Sequence, residues 1–178
     1  MAGCSLDAVD HWGSTADERR GQFACNEFLA RPDRAVFRAV DVDAPPAMVF
    51  RWLCQLRVAP YSYDWIDNRG RRSPRRLTPG TEELELGQTF MTIFRLAHFE
   101  PGASITVTSE SRVFGRIAGT YRVAPTVGGG SRLIVKLAIV YPPGVAGRVM
   151  ARVLPAGDLV MMRRQLLNLK ALAESSGR

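Results

Sequence analysis

The chain has 178 residues, 46% of them hydrophobic and 23% charged, with a formal net charge of +7. Enough apolar side chains are present to offset ordering entropy, which excludes a disordered chain. The length suits one globular domain burying roughly 70% of its unfolded surface and excludes two large ones. No run of 18 apolar residues occurs, so no membrane-spanning segment is expected.

Charge is unevenly placed. Arg69 to Arg76 (RGRRSPRR) holds five arginines and no acid, which leaves about +2 for the remaining chain. The wider excess of arginine over lysine is spread along the whole sequence and reads as coding composition rather than nucleic-acid recognition. Cys4, Cys25 and Cys54 stand far apart with no CxxC pair, so neither a zinc ribbon nor a dithiol site is supported, and no metal or cofactor is expected. Met1 to Asp10 lacks the basic and apolar regions of a leader, which points to a cytoplasmic protein with reduced thiols.

Residues 1–33 read as an N-terminal extension, with Thr15 to Gly21 as a solvated loop or short helix and Phe23, Phe28 and Leu29 packing locally. Arg34 to Val42 alternates as a strand with Val36, Val40 and Val42 on one side. Asp43 is placed to cap a helix that begins at Pro45-Pro46 and buries Val49, Leu53 and Leu56 at i, i+4, i+7. Tyr61 to Asn68 reads as a short edge strand, followed by the arginine-rich loop and an acidic run at Glu82, Glu83 and Glu85.

Four strands follow, over about 88–99, 103–114, 116–124 and 131–141, separated by Pro101-Gly102, Gly115 and Gly128 to Gly130. Ile105, Val107 and Val113 share one face of the second; Leu133, Val135, Leu137 and Ile139 share one face of the fourth. Short connections make the set antiparallel. After Pro142-Pro143-Gly144 and a short helical stretch, Gly157-Asp158 is expected to open a helix of about 17 residues, with Asp158 as its cap. Its stripe is Leu159, Met162, Leu166, Leu169 and Ala173. A sheet and one long amphipathic helix bury their apolar faces against each other, an α+β plan.

The strand ending Val42-Asp43-Ala44-Pro45, the helix beginning Met48-Val49-Phe50, the meander and the long final helix resemble the START-like (SRPBCC) superfamily over residues 34–175. That group includes polyketide cyclases/dehydratases and lipid-transfer domains. Residues 59–68, 70–74, 87–88 and 154–167 are similar to a bacterial, largely actinobacterial branch. The resemblance implies a helix-grip fold, a curved antiparallel sheet wrapped around the C-terminal helix. It also implies an apolar cavity between the two, in which a few polar groups orient a small, largely hydrophobic molecule.

Two functional classes follow, because a fold does not fix an activity. In a carrier or sensor, Tyr61, Tyr63 and Trp65 form one wall, Tyr121 contributes from the sheet, and Met162, Arg163 and Leu166 contribute from the last helix. In a cyclase/dehydratase-type enzyme acting on a carbonyl, the proton carriers are drawn from Tyr63, Asp64, Asp67 and His98, helped by Arg95 or Tyr121. Each has a structural counterpart: tyrosines bonded to backbone, Asp67-Asn68 in a turn. His98 shares a two-residue register with Phe90, Thr92, Phe94 and Leu96 and so faces the cavity or ends a strand at the surface. Strand alternation puts Arg95 and His98 on opposite faces unless a bulge intervenes. The arginine-rich loop is expected to be solvated, to pair with Glu82, Glu83 and Glu85, and to give only weak polyanion binding without sequence-specific nucleic-acid recognition.

Overall fold

The computed structural model describes residues 9–176; Cys4 and most of the stretch examined for a leader lie outside them. Alternating runs form six strands: β1 (Arg34–Val42), β2 (Thr89–Phe90), β3 (Phe94–Glu100), β4 (Ser104–Ser111), β5 (Gly115–Pro125) and β6 (Ser131–Val140). They make one antiparallel sheet in the order β1-β6-β5-β4-β3-β2. The helices are α1 (Ala16–Arg20), α2 (Cys25–Phe28), α3 (Pro46–Cys54), α4 (Asp64–Asp67) and α5 (Gly144–Ser176). Strand alternation sends Val36, Val40, Ile105, Val107, Tyr121, Leu133, Val135 and Leu137 to the inner face, where they pack with Leu166 and Leu169 of α5 in one apolar core. Burying each of those two leucines contributes about 1.5–3 kcal/mol.

The outer face carries a second cluster. Phe23, Cys25 and Leu29 of the N-terminal segment cover Phe37, Ala39, Ala118, Ile134 and Ala138. Thr15 and Gly21 flank α1 as its caps, and a capping box closes its N-terminus, in which Thr15 and Glu18 exchange side-chain-to-backbone bonds at 2.7 and 3.2 Å.

Several elements depart from the sequence expectation, each for a local reason. The segment 61–68 is a turn and α4 rather than an edge strand, because Tyr61 takes a positive φ of 57° that ends the extended path. The expected strand 88–99 is split by Met91 and Thr92, both at positive φ, so β2 and β3 form a hairpin. Strand β4 stops at Ser111, whose hydroxyl accepts from the Val113 and Phe114 amides; Val113 is exposed in the turn and does not share a face with Val107. Asp43 does not cap α3: Pro45 occupies the cap position without a side-chain bond.

Asp158 caps nothing either, because α5 runs through 33 residues with Pro155 inside it. Proline supplies no N–H, so the carbonyl four residues earlier loses its helical partner. Arg34 Nη1 donates to that carbonyl, on Ala151, at 3.2 Å. A strand side chain thus takes over the bond that Pro155 removes, and the helix continues where a break was expected. Gly147 lets α5 start close to the chain before it, since a Cβ there would fall 1.8 Å from the Pro142 carbonyl oxygen.

A cavity between the sheet and the last helix

Where α5 crosses the inner face, the packing is incomplete and leaves a cavity of about 210 Å³. The sheet contributes Val107, Ile117, Tyr121, Leu137 and Ile139; α5 contributes Leu154, Asp158, Met161, Met162 and Gln165. Pro60, Ser62, Asp67, Met91, Ile93 and Phe94 close the remaining side. Gly119 lies mid-sheet between Ile117 and Tyr121 on the inner face, where a Cβ would come within 2.5 Å of Leu137 Cδ2. Its missing side chain is what lets Leu137 sit at the cavity wall.

Polar groups enter this apolar space at three places. Tyr121 Oη donates to Gln165 Oε1 at 2.7 Å and touches the Met91 and Met162 sulfurs at 3.6 Å. Gln165 Nε2 donates to the Pro60 carbonyl at 2.6 Å. Burial pushes the Tyr121 phenol well above its ordinary value, so it stays protonated. At the second place, Asp158 Oδ2 accepts from Arg38 Nη2 at 2.8 Å. Arg38 is wholly buried on the inner face of β1, its Nη1 shared between the Asp10 and Phe37 carbonyls. Burial raises the Asp158 carboxyl to about 6 against the opposing pull of Arg38. At the third, the Ser62 hydroxyl donates to Asp67 Oδ2, while Asp67 Oδ1 is buried with no partner among the described residues. Burial again raises the Asp67 carboxyl, and the Ser62 hydrogen bond opposes that shift.

No family model matches the sequence, and no curated protein matches it either. Solved structures do. The chain is similar to CV1439 from Chromobacterium violaceum, at 17% identity over 79% of this chain and 96% of that one, with a TM-score of 0.52. It is similar to the hypothetical protein jhp0584 from Helicobacter pylori, at 13% identity over 88% and 95% of the two chains, with a TM-score of 0.54. The di-domain ARO/CYC StfQ from the steffimycin biosynthetic pathway matches at 17% identity over 80% of this chain and 51% of that one, with a TM-score of 0.48. The fold is a helix grip, a six-stranded antiparallel sheet closed by one long C-terminal helix.

Within the helix grip, Tyr121, Met162 and Asp67 line the cavity. Tyr61 is buried beside it, edge-on to Trp52 with ring centroids 6.0 Å apart. Leu166 is fully buried in the core. Tyr63 and Asp64 lie outside the wall, where Asp64 accepts from the Ser73 amide at 2.8 Å and from its hydroxyl. Trp65 is 77% exposed on α4, and Arg163 is exposed, 5.6 Å above the Trp12 ring. Strand β3 carries a bulge between Leu96 and His98, the register shifting there against Val107 and Thr106. The extra residue turns His98 to the outer face with Thr106, away from the cavity, and places Arg95 on that face also.

Arg38 and Gln165 carry no role in the sequence reading, and Asp158 stands there only as a helix cap. Arg38 sits between Val36 and Val40 in the inward two-residue register, and an arginine there signals a buried partner. Gln165 falls on the apolar stripe of α5, three residues after Met162. The five arginines of the loop are exposed, and among the described residues none pairs with Glu82, Glu83 or Glu85. Glu82 is engaged by Arg51 at 2.8 Å instead, and Arg57 Nη1 holds the Glu83 carbonyl. Among the described residues, no helix is long and apolar enough to cross a membrane.

Proposed function

We propose that the protein binds a small, largely apolar molecule between the sheet and α5, as a carrier or sensor. The observation that carries this reading is the 210 Å³ space at the heart of the helix grip, with apolar residues forming most of its wall. Protein interiors normally close such voids, since each loses dispersion contacts and costs stability. A cavity of about 150 Å³ already admits a benzene-sized guest, so this one matches a single ring with a short substituent.

The carbonyl-cyclising alternative has less support. Among Tyr63, Asp64, Asp67 and His98, only Asp67 belongs to the cavity wall, whereas acid–base work needs its groups within hydrogen-bond reach of one substrate atom. The polar side chains that do converge form internal bonds that orient a guest. Native mass spectrometry after gentle purification tests the carrier reading. The expected result is a retained small molecule in the wild type that is lost in Val107→Phe, whose larger side chain enters the same space. Ligand-free protein, with no uptake of apolar probes, would sink it.

A further inference from the structure

The polar wall of the cavity has a one-sided hydrogen-bonding capacity. The Pro60 carbonyl can only accept, so the amide nitrogen of Gln165 must face it at 2.6 Å. The amide oxygen then faces Tyr121 and can only accept, so the phenol must be the donor of their 2.7 Å bond. The second amide hydrogen points to the Met91 sulfur at 3.2 Å. The Ser62 hydroxyl is committed to Asp67. Every side-chain donor among the lining residues is therefore spent, and the donor left over nearby, Arg38 Nε, belongs to a buried residue outside the lining. Three acceptors remain: the lone pairs of Tyr121 Oη, the bare Oδ1 of Asp158 and the partnerless Oδ1 of Asp67. The charges lean the same way. Asp158 is balanced by Arg38, whereas Asp67 has no cationic partner among the described residues.

From this inventory we infer that the cavity takes an apolar molecule of about one ring that carries a hydrogen-bond donor, a primary amine before an alcohol, and refuses carboxylates. The inference rests on the carrier reading and specifies its ligand class. An ammonium head brings three donors and a positive charge to a wall of acceptors. A carboxylate of equal size brings acceptors alone, and leaves them and the wall unsatisfied. An enolising carbonyl meets the same obstacle, because the wall has no donor to stabilise its developing oxyanion.

The test is a matched series on one carbon skeleton: 3-phenylpropylamine, 3-phenylpropanol, 3-phenylpropanoate and propylbenzene, titrated calorimetrically at neutral pH. The amine is expected to bind about 10–100-fold tighter than propylbenzene, as befits a charge-assisted bond in a dry site. The alcohol should fall between them and the carboxylate below all three. Asp158→Asn then reverses part of the order. Arg38 retains the amide oxygen and the new NH₂ occupies the place of the bare oxygen, so the carboxylate gains on the amine by about tenfold. Propylbenzene binding with a flat ranking, a carboxylate that matches the amine, or an Asp158→Asn ranking identical to wild type overturns the donor inference alone. Failure of all four, propylbenzene included, overturns the carrier reading and this inference with it.

Discussion

On the convex face of the sheet, Thr120 accepts from the Cys25 amide at 2.9 Å and shares a hydrogen bond with Thr106 at the same distance. Lys136 reaches Asn26 at 2.6 Å, and Arg132 reaches Glu18 at 2.7 Å. On the concave face, Asp158 leaves one oxygen bare, Asp67 leaves one without a partner, and empty volume lies between them. The same strands make both faces, so composition does not separate them. The convex network around Thr120 closes on itself and holds the fold, whereas the concave oxygens stay open beside the apolar cavity on which the proposed binding rests.

The largest expected effect comes from opening the one closed pair on the concave side. Arg38→Met strands the Asp158 carboxylate, and breaking a buried pair from one side costs about 3–5 kcal/mol. Urea denaturation reads it, and adding Asp158→Leu should restore most of the loss. Recovery by the double variant ties the cost to the stranded charge rather than to poor packing of methionine.

The second effect follows from the Asp158 carboxyl, which stands at about 6 in the folded chain against an ordinary 3.8. Between those values the folded state holds the proton more often than the unfolded state. This group's contribution is therefore fully present below 3.8 and is lost as pH rises through about 6, by about 3 kcal/mol at most. Asp158→Asn removes that component, so its urea midpoints should decline less than those of wild type across the same window.

Thr120→Val sharpens the comparison from the convex side. It leaves the buried Cys25 amide without its acceptor, at about 1–3 kcal/mol, while binding of propylbenzene stays at the wild-type level. The smallest effect belongs to the arginine-rich loop. Replacing its five arginines by serine should change stability by less than about 0.5 kcal/mol. It should also abolish whatever retention on a polyanion column persists below about 0.15 M ionic strength, where exposed charges are felt beyond about 8 Å.

The plan of the fold was legible wherever alternation ran unbroken, as in Arg34–Val42 and Ser131–Val140, because a period of two is a local property. It was illegible where one backbone angle or one extra residue decides the path. Tyr61 at positive φ converts an aromatic run that suits a strand into a turn, and the bulge before His98 reverses which face that side chain takes. Tyr121 and Met162 could be placed at the cavity because each lies on a regular inward stripe. Arg38 and Asp158 could not, since 120 positions separate a strand residue from the helix residue that gives it meaning. Asp158 beside Gly157 has the look of a cap, and only the continuity of α5 through Pro155 shows that it serves another purpose.

Pro155 has one more consequence, for how the protein breathes. One rung of the α5 ladder is held from outside, by Arg34, which also grips Asp10 at 2.8 Å. The turns before it expose Val145, Val149 and Val153 to solvent, while those after it bury Met162, Leu166 and Leu169. A helix wired in this way does not open as a unit. Its first three or so turns loosen at a free energy of their own, and the later turns give up their amide protons only when the sheet does. Hydrogen exchange would thus draw a boundary near Pro155, beside Leu154 and Asp158 of the cavity wall, and loosening of the turns before it would open the cavity while the helix keeps its grip on the sheet.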